Sequence, residues 1–439
     1  MIRMSGVRSL AILKRVFTPK NAQKSFSSHH LSYGLITDPE TGKMVDEVLA
    51  VYMAAPATYT REDVVEIHCH GSFLILQQVL ALLLHYGAHL AGPGEFTKRA
   101  FLNGRIDLTR AEAVMELLDA ATSAKLDMAR NQLGGGLYDR IMAIRQALIV
   151  CRGIIEVAID FPDEDAEILD TKTMQQELLD TVVEPLEQLI RSAKRGQVFR
   201  EGVSVVILGR PNVGKSSLLN GLLREDRAIV TSVPGTTRDT IEEVLDIKGL
   251  PVRIVDTAGI RDHAGEVEEI GINRAKAKLG EADFVIFLID GPGGITVEDR
   301  TLQKLIAEKP VLFAVNKIDI MEYDPADFTE FCGSQPPFAI SAKKHQGIEQ
   351  LEDGLYALVT GGDGWDPGHG VVPNVRHLQA LDTGLVAAWR VHEGLLAGLS
   401  ADLLAVDLQD VLDCLGDIIG ETTTEDVLDV IFEQFCLGK

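Results

Sequence analysis

One octet, residues 209–216, constrains this chain more than any other feature of its sequence. It reads Gly-Arg-Pro-Asn-Val-Gly-Lys-Ser, it follows the apolar run Val203 to Leu208, and a helical pattern begins at Ser217. A glycine loop between a strand and a helix turns backbone N–H groups toward a nucleotide phosphate, while its lysine reaches the β- and γ-phosphates and its serine ligates Mg²⁺. The predicted nucleotide contacts are Asn212, Val213, Gly214, Lys215, Ser216 and Ser217, with Lys215 also predicted to be catalytic.

Three further motifs follow this octet in the order that a GTPase needs. Asp256 and Gly259 come after one apolar run, where they would face the Mg²⁺-bound water and the γ-phosphate. Asp319 follows another apolar run, and its carboxylate can accept the N1–H and the exocyclic amine of guanine, a pair of donors that adenine lacks. The sequence therefore predicts GTP rather than ATP. The third motif, Ser341 to Lys343, comes last in the chain. The predicted contacts in the three motifs are Asp256, Gly259, Asn316, Lys317, Asp319, Ser341, Ala342 and Lys343.

The periodicity of apolar residues changes along the chain and predicts a multidomain protein. Residues 1–104 mix short strands with one apolar helix, which indicates an α+β domain. Residues 105–197 and 359–439 have long helical periodicity, whereas residues 198–358 alternate strands with helices as an α/β, Ras-like nucleotide-binding domain does. We expect the two helical stretches to form one all-α domain into which the P-loop GTPase domain is inserted.

The composition of the chain bounds its class. Its 439 residues carry a net charge of −23, with 24% charged and 46% hydrophobic residues, which is typical of a soluble globular protein. The negative charge argues against a broadly cationic surface for nucleic acid, so any RNA contact requires a local patch or a partner. Five cysteines without metal-site spacing favour a reducing compartment. The longest apolar segment, residues 73–84, is too short to span a bilayer, and no membrane is predicted.

The first 37 residues allow two interpretations. They contain no acidic side chain, and their arginines, lysines and serines have the composition of an organellar transit peptide. Helical periodicity over Ser5 to Phe17 instead favours an ordinary domain helix. We predict a protein of the bacterial cytoplasm and keep an organellar homologue as the alternative.

Together with the GTPase motifs, four other segments give the chain a resemblance over nearly its whole length. They are Arg3 to Gly6, Pro93 to Gly104, Ile159 to Glu164 and Phe435 to Lys439. With these segments the chain resembles the bacterial tRNA-modification GTPases of the MnmE or TrmE family.

The resemblance implies a function and a set of partners. Members of the family form a homodimer and, with an FAD-dependent partner protein in a heterotetramer, add an aminomethyl or carboxymethylaminomethyl group to the wobble uridine of tRNA. Their carbon donor is methylene-tetrahydrofolate or a formyl form of it. Cys436 matches a cysteine near that chemistry, although a packing role on the last helix is the alternative. Arg3, Glu95 and Lys439 match positions on the folate and tRNA side.

The resemblance also supplies the catalytic residues that the motifs leave out. Ile260 follows Gly259, where many GTPases carry a water-orienting glutamine, and an isoleucine cannot orient water. Glu268 matches the family's water-orienting residue, and the alternative is that its acidic surroundings are only a solvated face. Ser216 and Thr237 are the expected Mg²⁺ ligands, and a K⁺ ion is expected on Asn212, Thr231 and Val233. The predicted switch I consists of Gly235, Thr236, Thr237, Arg238 and Asp239.

Two further expectations concern the N-terminus and the class of function. Family members begin with a strand and a glycine-rich turn before the Arg-x-Ser-Gly motif, whereas two residues precede Arg3 here. Either the start is misassigned or folate binding and dimerisation are weakened. The alternative function is a GTP-dependent assembly factor or ribosome-associated switch, which shares the GTPase motifs but has no use for a folate pocket.

Overall fold

The structure is a computed structural model. It describes residues 1–20, 26–161, 170–223, 228–229, 244–255, 279–306, 309–333, 335–362, 370–435 and 438. The chain divides into two compact units. The first comprises Met1–Leu118, Gln132–Val183 and Ala380–Lys439, and the second comprises Asp119–Asn131 and Glu184–Gln379. The first unit is therefore discontinuous in sequence.

The elements are numbered in chain order. The strands are β1 (Ile2–Ser5), β2 (Phe17–Pro19), β3 (His30–Thr37), β4 (Met44–Met53), β5 (Val64–His68), β6 (Val203–Leu208), β7 (Ala228–Ile229), β8 (Val244–Ile247), β9 (Leu250–Ile254), β10 (Phe284–Asp290), β11 (Val311–Asn316) and β12 (Phe338–Ala339). The α-helices are α1 (Ser9–Val16), α2 (Phe73–His85), α3 (Glu95–Leu102), α4 (Leu108–Leu118), α5 (Ser123–Leu133), α6 (Gly136–Asp160), α7 (Thr171–Leu178), α8 (Glu184–Glu201), α9 (Lys215–Leu222), α10 (Val297–Leu305), α11 (Ala326–Cys332), α12 (Ile348–Thr360), α13 (Val375–Ala397), α14 (Ala401–Ile419) and α15 (Glu425–Glu433).

The N-terminal part of the first unit is an antiparallel sheet in the order β1-β5-β4-β3-β2. Alternate residues of its strands are buried, as expected of a sheet with one face on a core, and Ile36 and Ile67 are fully buried there beside Leu13 of α1. Strand β1 pairs with β5, so that Arg3 lies opposite Glu66. This pairing takes residues 2–5 into the sheet, and the predicted N-terminal helix accordingly begins at Ser9 rather than Ser5.

The rest of the first unit is helical. The long helix α6 buries Ile141, Ile144 and Leu148 at helical spacing and packs against α14. The helical periodicity predicted over residues 105–197 is broken in two places. The helix α4 ends at Leu118 and α5, which lies mostly in the second unit, begins at Ser123, because the Thr122 hydroxyl accepts the Lys125 backbone N–H and caps the start of α5. A π-helical turn, Leu179–Val183, likewise lies between α7 and α8.

The second unit is built on a sheet in the order β12-β11-β10-β6-β9-β8-β7. Strands β12, β11, β10, β6 and β9 pair in parallel, whereas β7, β8 and β9 pair in antiparallel fashion. Apart from Ser204 and Asp290, the central strands β6 and β10 are apolar, and most of their residues on both faces are buried, which is what helices on both sides of a parallel sheet require. Because parallel strands end at one edge, the loops that follow β6, β10 and β11 meet there.

Two helical segments that precede the octet belong to this second unit. A Cβ at Gly249 would lie 2.6 Å from the Ala124 side chain, so the tip of the β8–β9 hairpin packs closely on α5. The Phe199 ring of α8 contacts the Tyr356 ring of α12, with centroids 6.2 Å apart. The domain boundaries predicted after residues 104, 197 and 358 remain predictions. Among the described helices, none is both long and apolar enough to cross a membrane.

Candidate nucleotide-binding site

The octet forms the predicted turn from strand to helix. It leaves β6 at Leu208 and enters α9 at Lys215, with Gly214 at the N-cap in the left-handed region (φ 102°). A Cβ at Gly214 would lie 2.3 Å from the Asn316 Nδ2 atom, so a larger residue would displace that side chain. Ser216 and Ser217 follow in the exposed first turn of α9. The loop therefore presents a helix N-terminus and its backbone N–H groups, as phosphate binding requires.

Lys215 lies inside this loop. Its side chain is largely buried, with 8% of the residue exposed, and its Nζ donates hydrogen bonds to the Gly209 and Arg210 carbonyls, both at 2.8 Å. Burial lowers the pKa of Lys215 to about 8, because the ammonium loses solvation and gains no carboxylate partner among the residues that the structure describes. A phosphate placed in this loop would supply the missing negative charge.

GTP affinity should therefore fall as the pH rises above about 8. Bound phosphates raise the pKa of Lys215. Above the pKa of the free protein, Lys215 is deprotonated before binding, so GTP must bind together with a proton. GTP affinity then falls by up to about tenfold per pH unit. Below pH 8 the lysine is protonated in both states and affinity is flat. Calorimetry in buffers of different ionisation enthalpy measures the proton uptake, after correction for the titration of free GTP. Affinity that stays constant to pH 9 would contradict the burial of this ammonium.

Asn316 joins three loops by its side chain. Its Nδ2 donates to the Val213 carbonyl at 2.7 Å, and its Oδ1 accepts the Ala342 N–H at 2.9 Å. The side chain is buried, so losing either bond would leave a buried polar group unpaired. Asn316 was predicted as a nucleotide contact, and in the structure it ties the phosphate loop to the segment around Ala342.

Asp319 lies in a single 3₁₀ turn, Ile318–Ile320, after β11. Its Oδ1 accepts the Ser341 hydroxyl at 2.7 Å, and Lys344 Nζ lies 3.7 Å from its Oδ2. The hydrogen bond from Ser341 is the main cause that lowers the pKa of Asp319, so the carboxylate is ionised at neutral pH. Lys343, which directly precedes Lys344 in the sequence, is exposed. The structure thus brings the two predicted base-recognition motifs together.

An ion-pair network beside these loops was not predicted. The Asp290 carboxylate lies between Arg210, at 3.5 Å, and Lys317, at 3.0 Å. Lys317 Nζ also donates to the Asn212 carbonyl at 2.9 Å. Asp290 ends an apolar strand as Asn316 does and lies opposite it in the register of β10 and β11. That position after a parallel strand was the signal that could have identified it.

Two residues predicted on the folate side have partners within the first unit. Arg3 Nη2 lies 2.7 Å from the Glu66 carboxylate across the β1–β5 pair. Glu95 Oε2 accepts the Gly92 N–H at 2.8 Å just before α3, and Glu95 also accepts a hydrogen bond from Arg99. These contacts hold the local backbone, and a role toward folate remains a prediction.

Other predicted residues lie outside the residues that the structure describes. They are Thr231, Val233, Gly235, Thr236, Thr237, Arg238, Asp239, Asp256, Gly259, Glu268, Cys436 and Lys439.

The parallel sheet, the glycine loop around Lys215 and the guanine motif at Asp319 define a P-loop GTPase. Two family models match the chain on either side of residues 106 and 107. A model described as the MnmE helical domain matches residues 108–436. A second model, described as the N-terminus of the GTP-binding protein TrmE, matches residues 1–105. The chain belongs to the MnmE family of tRNA modification GTPases. The predicted family, fold class and GTPase activity are thereby confirmed.

Full-length relatives agree with this assignment. A protein named tRNA modification GTPase MnmE from Desulfotalea psychrophila is 52% identical, covering 100% of this chain and 95% of that protein. A protein of the same name from Natranaerobius thermophilus is 43% identical, and the match covers 100% of this chain and 96% of that protein. Among solved structures, Aquifex aeolicus Era bound to GDP and AlF₄⁻ is 27% identical over 42% of this chain and 66% of that chain, with a TM-score of 0.29.

Proposed function

We propose that this protein hydrolyses GTP to drive modification of the wobble uridine of tRNA. The observation that carries the proposal is the match of one chain to two family models, over residues 1–105 and 108–436, together with the phosphate and guanine motifs that the second match encloses. An isolated GTP-dependent switch would need the site but not the N-terminal domain. The group added is aminomethyl or carboxymethylaminomethyl.

The proposed reaction needs partners and cofactors besides GTP and Mg²⁺. The protein acts as a homodimer in a heterotetramer with an FAD-dependent partner protein, on tRNA, with methylene- or formyl-tetrahydrofolate as the carbon donor. Its bacterial relatives support a location in the bacterial cytoplasm. Its net charge of −23 supports the need for the partner, because a polyanion such as tRNA is repelled by most of such a surface.

The proposed roles of the residues follow from their chemistry. Lys215 stabilises charge on the β- and γ-phosphates, and Asp319 selects guanine. Ser216 and Thr237 would hold Mg²⁺, which would supply positive charge to offset the negative charge that develops in phosphoryl transfer. Glu268 orients the attacking water. Cys436 serves the modification step rather than GTP hydrolysis.

Analysis of the wobble nucleosides of tRNA from a deletion strain tests this function. We expect the modified uridine to disappear in the deletion strain and to return with the wild-type gene. Complementation with Cys436→Ser should fail to restore the nucleoside although the purified variant hydrolyses GTP at nearly the wild-type rate. Unchanged nucleosides in the deletion strain would favour the assembly or ribosome-associated switch, and full restoration by Cys436→Ser would assign that thiol to packing.

A further inference from the structure

We propose that Asp290 is a positioning residue for nucleotide binding, which holds the phosphate loop and the guanine-recognition loop in register through two cations. Asp290 is the last residue of β10, which lies between β6 and β11 in the sheet. The phosphate loop leaves β6 and the guanine-recognition loop leaves β11. Its carboxylate therefore lies at the sheet edge between the two loops that must contact one nucleotide.

The contact with the guanine-recognition loop is made through Lys317. Lys317 Nζ lies 3.0 Å from Asp290 Oδ1 and donates to the Asn212 carbonyl at 2.9 Å. Its backbone is in the left-handed region (φ 68°), which is uncommon for a lysine. One ammonium thus links β10, the phosphate loop and the guanine-recognition loop, and Asp290 supplies its counter-charge.

The contact with the phosphate loop is made through Arg210. Arg210 Nη2 lies 3.5 Å from Asp290 Oδ2, and its Nε lies 3.5 Å from Asp299 Oδ2. Asp299 is fully buried in the first turn of α10, where its carboxylate accepts the Thr296 hydroxyl at 2.7 Å. The Arg210 guanidinium therefore lies within ion-pair distance of two carboxylates, one of which is shared with Lys317.

This arrangement matters for binding because a nucleotide bridges both loops. Loops that are already held in their bound arrangement cost less free energy to order when the ligand arrives. The Asp290 side chain is only 18% exposed, so its ion pairs are less screened by solvent than surface pairs are. We expect Asp290→Asn to weaken GTP and GDP binding alike by about tenfold to a hundredfold, mainly through faster dissociation. Guanine selectivity should not change, since Asp319 is untouched.

The test compares two aspartates at opposite ends of one strand in the full-length protein. Asp283 directly precedes β10, and its Oδ2 accepts the Ser204 N–H at 2.8 Å and hydroxyl at 2.7 Å. Asp283→Asn is the matched control, since it removes a hydrogen-bonded carboxylate far along the strand from the loops. Affinities and dissociation rates for fluorescent GTP and GDP should change in Asp290→Asn and stay at the wild-type values in Asp283→Asn.

A double-mutant cycle with Lys317→Gln separates positioning from general stability. Because Asp290 acts partly through Lys317, the double variant should lose less GTP affinity than the sum of the two single losses, and the remaining extra loss over Lys317→Gln reports the contact with Arg210. Any of three results would overturn the proposal: losses of GTP affinity that add in the double variant, wild-type GTP affinity in Asp290→Asn, or a loss in Asp283→Asn equal to that in Asp290→Asn. If Asp290→Asn does not fold, Asp290→Glu is the alternative variant, because it keeps the negative charge. It is expected to retain most of the GTP affinity. A loss of GTP affinity in Asp290→Glu as large as that in Lys317→Gln would contradict the role of Asp290. Nucleotide affinity is the only readout, so a failure here leaves the tRNA proposal standing.

Discussion

Replacing Asp319 with asparagine is expected to lower GTP affinity by at least about a hundredfold and to create affinity for xanthosine triphosphate. The Asp319 carboxylate is held by the Ser341 hydroxyl at 2.7 Å and is ionised, so both of its oxygens are acceptors. Asparagine keeps one acceptor and places an amide donor where guanine offers a second donor. Xanthine carries a carbonyl oxygen at that position and matches the amide.

Competition titrations with GTP, XTP and ATP measure this exchange of selectivity. Ser341→Ala removes the hydrogen bond that orients Asp319 and the longer one, 3.3 Å, that the Ser341 hydroxyl accepts from the Lys344 N–H, but it keeps the Asp319 carboxylate. It should therefore weaken GTP binding by a smaller factor without any gain for XTP. Asp324→Asn is a matched control on the same segment, because Asp324 is exposed and bonds the Ala326 N–H at 2.9 Å. If Asp319→Asn binds GTP as the wild type does, this carboxylate does not read the base.

Replacing K⁺ with Na⁺ at matched ionic strength is expected to slow GTP hydrolysis by about a hundredfold or more. Charge that develops between the β- and γ-phosphates must be neutralised, and where an arginine does this the gain is about 10³ to 10⁵ in rate. Ile260 stands where a water-orienting glutamine is common, so this chain departs from the usual GTPase pattern beside the γ-phosphate. We propose that a K⁺ ion takes the place of the arginine, with Asn212 as one ligand.

The geometry of Asn212 suits an oxygen ligand. Asn212 is exposed and its backbone lies in the left-handed region (φ 65°), while its carbonyl accepts a hydrogen bond from Lys317 at 2.9 Å. Among the described residues, none bonds to the Asn212 side-chain amide, whose oxygen is a hard ligand. The other proposed ligands, Thr231 and Val233, lie outside the described residues.

Because the backbone of Asn212 is left-handed, two substitutions are needed to test its side chain as a K⁺ ligand. Asn212→Ala removes the amide but also adds strain, because alanine disfavours a positive φ. Asn212→Gly removes the amide and tolerates this backbone, so both variants should lose K⁺ stimulation if the side-chain oxygen is the ligand. GTP affinity should change little in Asn212→Gly. Hydrolysis rates must be measured at dimerising protein concentrations. Equal rates of the wild type in K⁺ and Na⁺ would remove the cation and direct the search to an arginine from a partner.

The sequence by itself determined the class of protein and the residues of the phosphate and guanine motifs. Those motifs depend on short-range geometry: a glycine such as Gly214 permits a left-handed turn, the next residues start a helix, and an apolar run before them forms a strand. The order of such motifs along the chain then defines the nucleotide. The apolar run Val203 to Leu208 likewise located strand β6 at its observed bounds.

Helix boundaries were less predictable. The division of α4 from α5 depends on one hydroxyl, that of Thr122, which caps α5 within a sequence whose apolar spacing continues through the break. The start of α1 depends on β1, whose residues are taken into the sheet by a partner strand about sixty residues later in the chain. Periodicity reports local preference, and in both places a specific hydrogen-bond partner decided the outcome.

Only the tertiary structure determined which contacts the motif residues make with one another. Asn316 bonds Val213, which is 103 residues away in the chain, and Asp290 pairs with Arg210, which is 80 residues away. No local pattern encodes such pairs, because parallel strands far apart in sequence end at one edge of the sheet and bring their loops together there. The sequence therefore identified the residues of the motifs, whereas the packing of the strands determined that Asn316, Asp290 and Lys317 link the loops that carry them.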